Sequence, residues 1–173
     1  MIDHFKEVSD FAKLEIPESH KLPIAIVGSS GIVDGAHLPA YKKAGSEIVG
    51  ITDVDQDRAK DVANRHGIPI VYPDLATLLR DSKAKVIDIA VPPAVQRDVF
   101  FEVAKSGRHI LAQKPLATTV GDGELIIKAA KESGIIAGVN QQLRFEEGMA
   151  AAYKMVDLGW VGKVTSISIT VNL

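Results

Sequence analysis

The sequence predicts an α/β protein built on a doubly wound parallel sheet. Three observations carry that expectation. Short apolar runs alternate with amphipathic helical segments along most of the chain. Several of those runs are unbroken, such as Ile24-Ala25-Ile26-Val27, as strands covered on both faces should be. The first run ends in a glycine- and serine-rich turn, Gly28-Ser29-Ser30-Gly31, that opens directly into a helical pattern. Strand–helix alternation of this kind calls for parallel pairing and right-handed crossovers.

Residues 1–21 are charged and loosely periodic; Phe5, Val8, Phe11, Ala12 and Leu14 make one helical stripe before Pro17, read as an N-terminal appendage. The first strand and its turn follow, and a second apolar run, Ile48-Val49-Gly50-Ile51, stops at Asp53. Asp55 to Ala63 has an acidic start and an Ala/Val face, a short helix that Gly67 ends. Pro69-Ile70-Val71-Tyr72 reads as a brief strand, and Asp74 as the N-cap of a helix over 75–79. The run from Val86 to Val91 is a strand halted by Pro92-Pro93, and a helix over 94–106 ends at Gly107. His109 to Ala112 is a strand, Thr118-Thr119 caps a helix through Lys131, and Ile135 to Val139 is the sixth strand. A last helix spans 145–158. Beyond it, Ser166 to Val171 alternates strictly, the pattern of a half-buried antiparallel strand belonging to another sheet. The expected organisation is an appendage at 1–21, a nucleotide-binding domain at 22–145, and at 146–173 a connecting helix with the first strand of a second domain.

The chemistry concentrates around the first turn. A strand that turns at once into a helix needs backbone angles open mainly to glycine, which Gly28 supplies. The first helical N–H groups lack intrahelical acceptors and form the positive end of the helix dipole, so a pyrophosphate can rest there without a basic side chain. Gly28, Ser30, Gly31 and Ile32 are the candidate residues for that contact. In G-x-G-x-x-G register the second glycine is Ser30 and the third is Val33, so Gly31 is expected to take the close approach. Asp53, at the tip of the second strand, is placed to accept two hydrogen bonds from a ribose diol. It would repel a 2′-phosphate carrying about −1.5 to −2 charges, which favours NAD over NADP. An ordinary strand–helix turn with no nucleotide is the competing reading of these residues alone.

Composition narrows the class. The 173 residues are 46% hydrophobic and 24% charged, with a formal net charge of −2, so no broad basic surface argues for nucleic acid or an anionic membrane. Without cysteine there is no disulfide, thiol nucleophile or thiolate metal site, and no histidine–carboxylate cluster has metal-ligand spacing. The amino terminus has no signal-like apolar core and no run is long enough to span a bilayer, so the expectation is a cytoplasmic protein.

Three stretches together resemble the Gfo/Idh/MocA family of nicotinamide-dependent oxidoreductases. They are IAIVGSSGIVDGAHLPAYKKAG with EIVGITDVD; VIDIAVPPAVQRDVFFEVAKSGRHILAQKPLATT; and GVNQQLRF with GWVGKVTSISI. The resemblance implies a Rossmann domain followed by an α/β domain with an open antiparallel sheet, and sugar- or polyol-like substrates. It implies that Lys114, in the position of the lysine of the family's Glu-Lys-Pro motif, lies beside nicotinamide and substrate. Independently, a lysine at the carboxyl end of a parallel strand stands in the ligand crevice of such a sheet, where it can hydrogen-bond a substrate hydroxyl and help to take its proton. Pro92, Gln113, Lys114 and Asn140 join the expected cofactor contacts, and Arg144 is a candidate for substrate. Three positions depart from the pattern: Gln113 replaces the glutamate, Gln96 a frequent histidine, and Val33 the third glycine. The family's catalytic histidine belongs to the second domain and is not expected among these residues, so this chain is expected to bind cofactor with little turnover. His37 is expected to pack near the turn.

Three other functions compete with hydride transfer from an alcohol. They are NAD-dependent glycoside hydrolysis, a non-catalytic nucleotide-binding or assembly module that pairs through the 166–171 strand, and a Rossmann-like methyltransferase, which Lys114-Pro115 disfavours.

Overall fold

A computed structural model describes residues 4–13 and 16–170. The described residues divide into two compact units, one over 16–140 and the other formed from the described parts of 1–15 and 141–173.

The larger unit is a five-stranded parallel sheet: β1 (Ile24–Val27), β2 (Ile48–Thr52), β3 (Val86–Ile89), β4 (His109–Gln113) and β5 (Ala137–Asn140), in the order β2-β1-β3-β4-β5. Between them run α2 (Leu38–Ala44), α3 (Gln56–His66), α4 (Leu75–Asp81), α5 (Pro93–Lys105) and α6 (Val120–Glu132). The helices cover both faces. Ile26 packs with Val33, Leu38, Ile51 and Val62 on one side. Val27, Ile87 and Ile89 pack with Leu78, Phe100, Val103 and Ile126 on the other. The doubly wound parallel sheet expected from the sequence is the fold observed, and along β1 the residues Ala25, Ile26 and Val27 alternate between its two cores.

Local chemistry sets the helix ends. Asp55, Asp74 and Thr119 each accept a hydrogen bond from the backbone N–H three residues on, which satisfies an orphan donor of the first turn. Pro93 opens α5, where its missing N–H costs nothing.

Two strand expectations need correction. The strand expected at 69–72 is reduced to one bridge, Ile51 with Val71. Ile51 N–H donates to Ile70 O and Tyr72 N–H to Ile51 O, but Pro69 and Pro73 on either side cannot donate and the ladder stops. The strand expected at 166–171 is not formed in residues 166–170, which have no regular structure; Val171 lies outside the described residues. Strict alternation marks a segment able to join a sheet, but a strand exists only with a hydrogen-bonded neighbour, and none of the described residues pairs with it. The sixth expected strand is present as β5, shifted to Ala137–Asn140.

In the smaller unit, α1 (His4–Ala12) packs against α7 (Glu147–Asp157). Phe5 meets Trp160 edge-on at 5.3 Å between ring centroids, and Phe11 stacks on Tyr153 at 6.0 Å. Lys154 lies between Glu7 and Asp157, at 3.2 and 3.1 Å. The expected stripe is helical through Ala12, while Leu14 lies outside the described residues.

Candidate active site

Every strand of a parallel sheet presents its carboxyl end to the same edge, and a crevice opens there where the chain order reverses. In this sheet the reversal falls between β1 and β3. The edge carries Gly28 after β1, Asp53 after β2, Pro92 after β3, Gln113 and Lys114 at the end of β4, and Asn140 at the end of β5. The expected cofactor contacts therefore share one edge of the sheet. Four of them, Gly28, Ser30, Asp53 and Pro92, line a single cavity of about 590 Å³.

The turn after β1 is built as the sequence suggested. Gly28 has φ +105°, and a Cβ there would stand 2.3 Å from the carbonyl oxygen of Ala90. Helix begins at Gly31, whose absent side chain leaves open space, with nothing within 4 Å. Val33 is fully buried, so the place of the third glycine belongs to the core beneath the turn. A π turn, Val33–His37, leads into α2.

Asp53 is tied into this turn more closely than expected. Its Oδ2 accepts the Ser29 N–H at 2.6 Å and the Ser29 hydroxyl at 2.7 Å, and its Oδ1 accepts the Asp55 N–H at 2.8 Å. Arg58 Nη2 reaches both oxygens, at 2.9 and 3.0 Å, and Arg58 Nε donates to Ser29 Oγ. The Asp53 side chain is only 6% exposed, whereas Arg58 is about half exposed at 48%. Burial alone would raise the Asp53 carboxyl, but the Asp55 N–H, the Ser29 hydroxyl, Arg58 and the Ser29 N–H together hold it below the usual carboxylate range.

Side-chain alternation puts a second polar cluster on the α2 face. Asp88 stands in register with Ile26 and Leu111, and Gln113 with Asn140. Asp88 is fully buried. Its Oδ2 lies 2.7 Å from His37 Nδ1 and accepts the Tyr41 hydroxyl at 2.9 Å. Burial, reinforced by the Asp88 charge, pushes the Tyr41 hydroxyl well above its ordinary range. On the other side of the imidazole, Nε2 meets Gln113 Nε2 at 3.0 Å and Asn140 Nδ2 at 3.2 Å. The Lys114 N–H donates to Gln113 Oε1 at 2.7 Å, and the Lys114 side chain is exposed. From α5, the buried Gln96 amide spans the carbonyls of Gln113, Pro115 and Leu116 at 2.9, 3.0 and 2.9 Å.

Sequence reasoning did not single out Asp88, and it placed His37 and Gln96 outside the site. The signal for Asp88 was present: a carboxylate inside an apolar strand covered on both faces must find partners. Among the described residues, no group of three or more metal-ligating side chains comes together, and no helix is long and apolar enough to cross a membrane.

A family model for an oxidoreductase family with an NAD-binding Rossmann fold matches residues 22–141. The chain belongs to the Gfo/Idh/MocA family. Among the relatives of this family member, scyllo-inositol 2-dehydrogenase (NAD(+)) of Bacillus subtilis is 29% identical over 119 residues, covering 69% of this chain and 35% of its own. D-xylose 1-dehydrogenase (NADP(+)) 2 of Haloferax volcanii is 29% identical over 143 residues, covering 82% and 44%. Among solved structures, an oxidoreductase from Agrobacterium radiobacter in complex with NAD+, L-tartaric acid and magnesium superposes with a TM-score of 0.78 at 25% identity, covering 83% of this chain and 42% of that one. The chain thus spans less than half the length of these Gfo/Idh/MocA proteins.

Proposed function

We propose that this chain holds a nicotinamide dinucleotide along the carboxyl edge of its sheet, as part of an oxidoreductase that moves a hydride between that cofactor and a sugar- or polyol-like alcohol. The observation that carries the reading is the Gly28–Ile32 turn with Asp53 pinned beneath it, opening into the same edge as Pro92, Lys114 and Asn140. The local geometry fits the group. The N–H groups of Ser30, Gly31 and Ile32 begin a helix and are the orphan donors that a pyrophosphate would satisfy. Gly31 leaves room for its approach. When bound, the nicotinamide supplies the hydride acceptor or donor.

The chain's own residues have separable tasks. Asp53 accepts from the ribose hydroxyls once the half-exposed Arg58 guanidinium gives up its place on the carboxylate, and Ser29 and Asp55 fix its orientation. Pro92 and the Gly28 turn shape the crevice wall. Asn140 offers an amide near the nicotinamide end. Lys114 Nζ donates a hydrogen bond to the substrate hydroxyl oxygen and helps that hydroxyl lose its proton to a base as hydride leaves the carbon that bears it. Arg58 tempers the charge argument for NAD, because a 2′-phosphate would meet a guanidinium as well as a carboxylate. We therefore assign NAD as the preferred cofactor over NADP by a modest factor, about tenfold or ~1.4 kcal/mol.

Calorimetric titration of the chain with NADH and then NADPH tests this. The expected result is one site for NADH, weaker binding of NADPH, and a preference that narrows in Asp53→Asn. No heat with either nucleotide would overturn the reading.

A further inference from the structure

We propose that His37, held by Asp88 as the Nδ1–H tautomer, is a positioning residue that orients Gln113 and through it the backbone of Lys114. The functional importance of this rests on the reading of Lys114 given above; the hydrogen-bond logic does not. The Lys114 N–H donates to Gln113 Oε1 at 2.7 Å, which fixes the oxygen end of that amide. The other end, an NH2 group with two protons, faces His37 Nε2 at 3.0 Å. A nitrogen that meets a donor must accept, so Nε2 is the unprotonated nitrogen of the ring. Asn140 Nδ2 brings a second donor to the same lone pair at 3.2 Å. A neutral imidazole has one N–H, which is therefore on Nδ1 and donates to Asp88 Oδ2 at 2.7 Å.

The order of control runs outward from the buried charge. Asp88 is fully buried, and His37 Nδ1–H and the Tyr41 hydroxyl both donate to its Oδ2, while Oδ1 has no hydrogen-bond partner among the described residues. The carboxylate selects the imidazole tautomer, the tautomer selects the Gln113 orientation, and Gln113 holds the Lys114 N–H. The opposite tautomer would aim Nε2–H at two amide NH2 groups. Gln113 would then turn over and withdraw its oxygen from Lys114. Gln96 braces the same segment from the α5 side, but its contacts are carbonyls whose polarity cannot reverse. An aspartate is not needed at 88 for packing, since Ile26, its register neighbour on the same face, meets that need with an apolar side chain.

The test is NMR of the full chain without nucleotide, so it stands or falls separately from cofactor binding. Long-range proton–nitrogen spectra at neutral pH should show His37 protonated at Nδ1 and bare at Nε2. A ring protonated at Nε2 overturns the proposal directly, with no variant needed. Asp88→Asn can present an NH2 to Nδ1, and it should shift the Lys114 backbone amide and the Gln113 side-chain signals although residue 88 touches neither. Tyr41→Phe, which removes the other bond to Asp88, should leave the Lys114 signal in place. His37→Leu should displace that signal and His37→Gln, which keeps an acceptor near Gln113, should restore it. A Lys114 amide unmoved by Asp88→Asn and His37→Leu, or displaced equally by Tyr41→Phe, would contradict the relay.

Discussion

The two ends of the crevice are built from different materials. At the β1–β2 end, peptide N–H groups and a carboxylate–guanidinium pair form the site. Asp53 is fixed by the Ser29 and Asp55 N–H groups, by the Ser29 hydroxyl and by Arg58, and its charge cannot be redirected without dismantling the turn. At the β3–β5 end one buried carboxylate lies behind an imidazole, and neutral amides meet the crevice. The first arrangement suits a ligand part whose charge is constant. The second sets direction through donor and acceptor polarity and presents no fixed charge except the exposed Lys114. Binding and orienting can thus be divided along one sheet edge, with backbone dipoles at one end and side-chain hydrogen bonds at the other.

Several substitutions break one end and spare the other. Gly28→Ala should have the largest effect. Its Cβ would collide with the Ala90 carbonyl at a φ of +105°, costing about 4 kcal/mol in urea unfolding and abolishing NADH binding. Asp88→Ala should cost about 3 kcal/mol, because it strips the acceptor from the buried His37 and the partly buried Tyr41. NADH affinity measured well below the unfolding midpoint should fall less than in Gly28→Ala. Arg58→Ala should cost little stability, since its guanidinium is about half exposed. It should widen the preference for NADH over NADPH by about tenfold, read by nucleotide fluorescence titration.

Protonation separates the ends again, with smaller effects. The folded Asp53 carboxyl is held below its ordinary range. Its stabilising contribution is therefore complete above the unfolded aspartate value of about 3.9 and is lost as pH falls through the lower folded value. The Tyr41 hydroxyl is pushed upward, by burial and then by Asp88. Its contribution is present below the unfolded tyrosine value of about 10 and declines as pH rises beyond it. Urea midpoints across both ranges should show an acid loss that Asp53→Asn reduces and an alkaline loss that Tyr41→Phe reduces.

The sequence made the first end legible and the second only in part. Gly28, Asp53 and the caps at Asp74 and Thr119 work through backbone groups a few residues away or at a fixed offset, so spacing alone exposes them. Asp88, His37 and Gln113 are far apart in the chain and meet only because strand alternation and register bring them to one face. Residues 69–72 and 166–170 show the same limit. Their patterns are those of strands, but ladder formation depends on neighbours that local sequence does not specify.

The division of labour is tested most directly by mapping backbone and side-chain amide shifts of the chain during an NAD titration. Movement is expected in two separated groups, Ser29 to Ile32 with Asp53, and Gln113, Lys114 and Asn140, saturating together. Shifts confined to one group, or to neither, would contradict a dinucleotide lying along the whole edge.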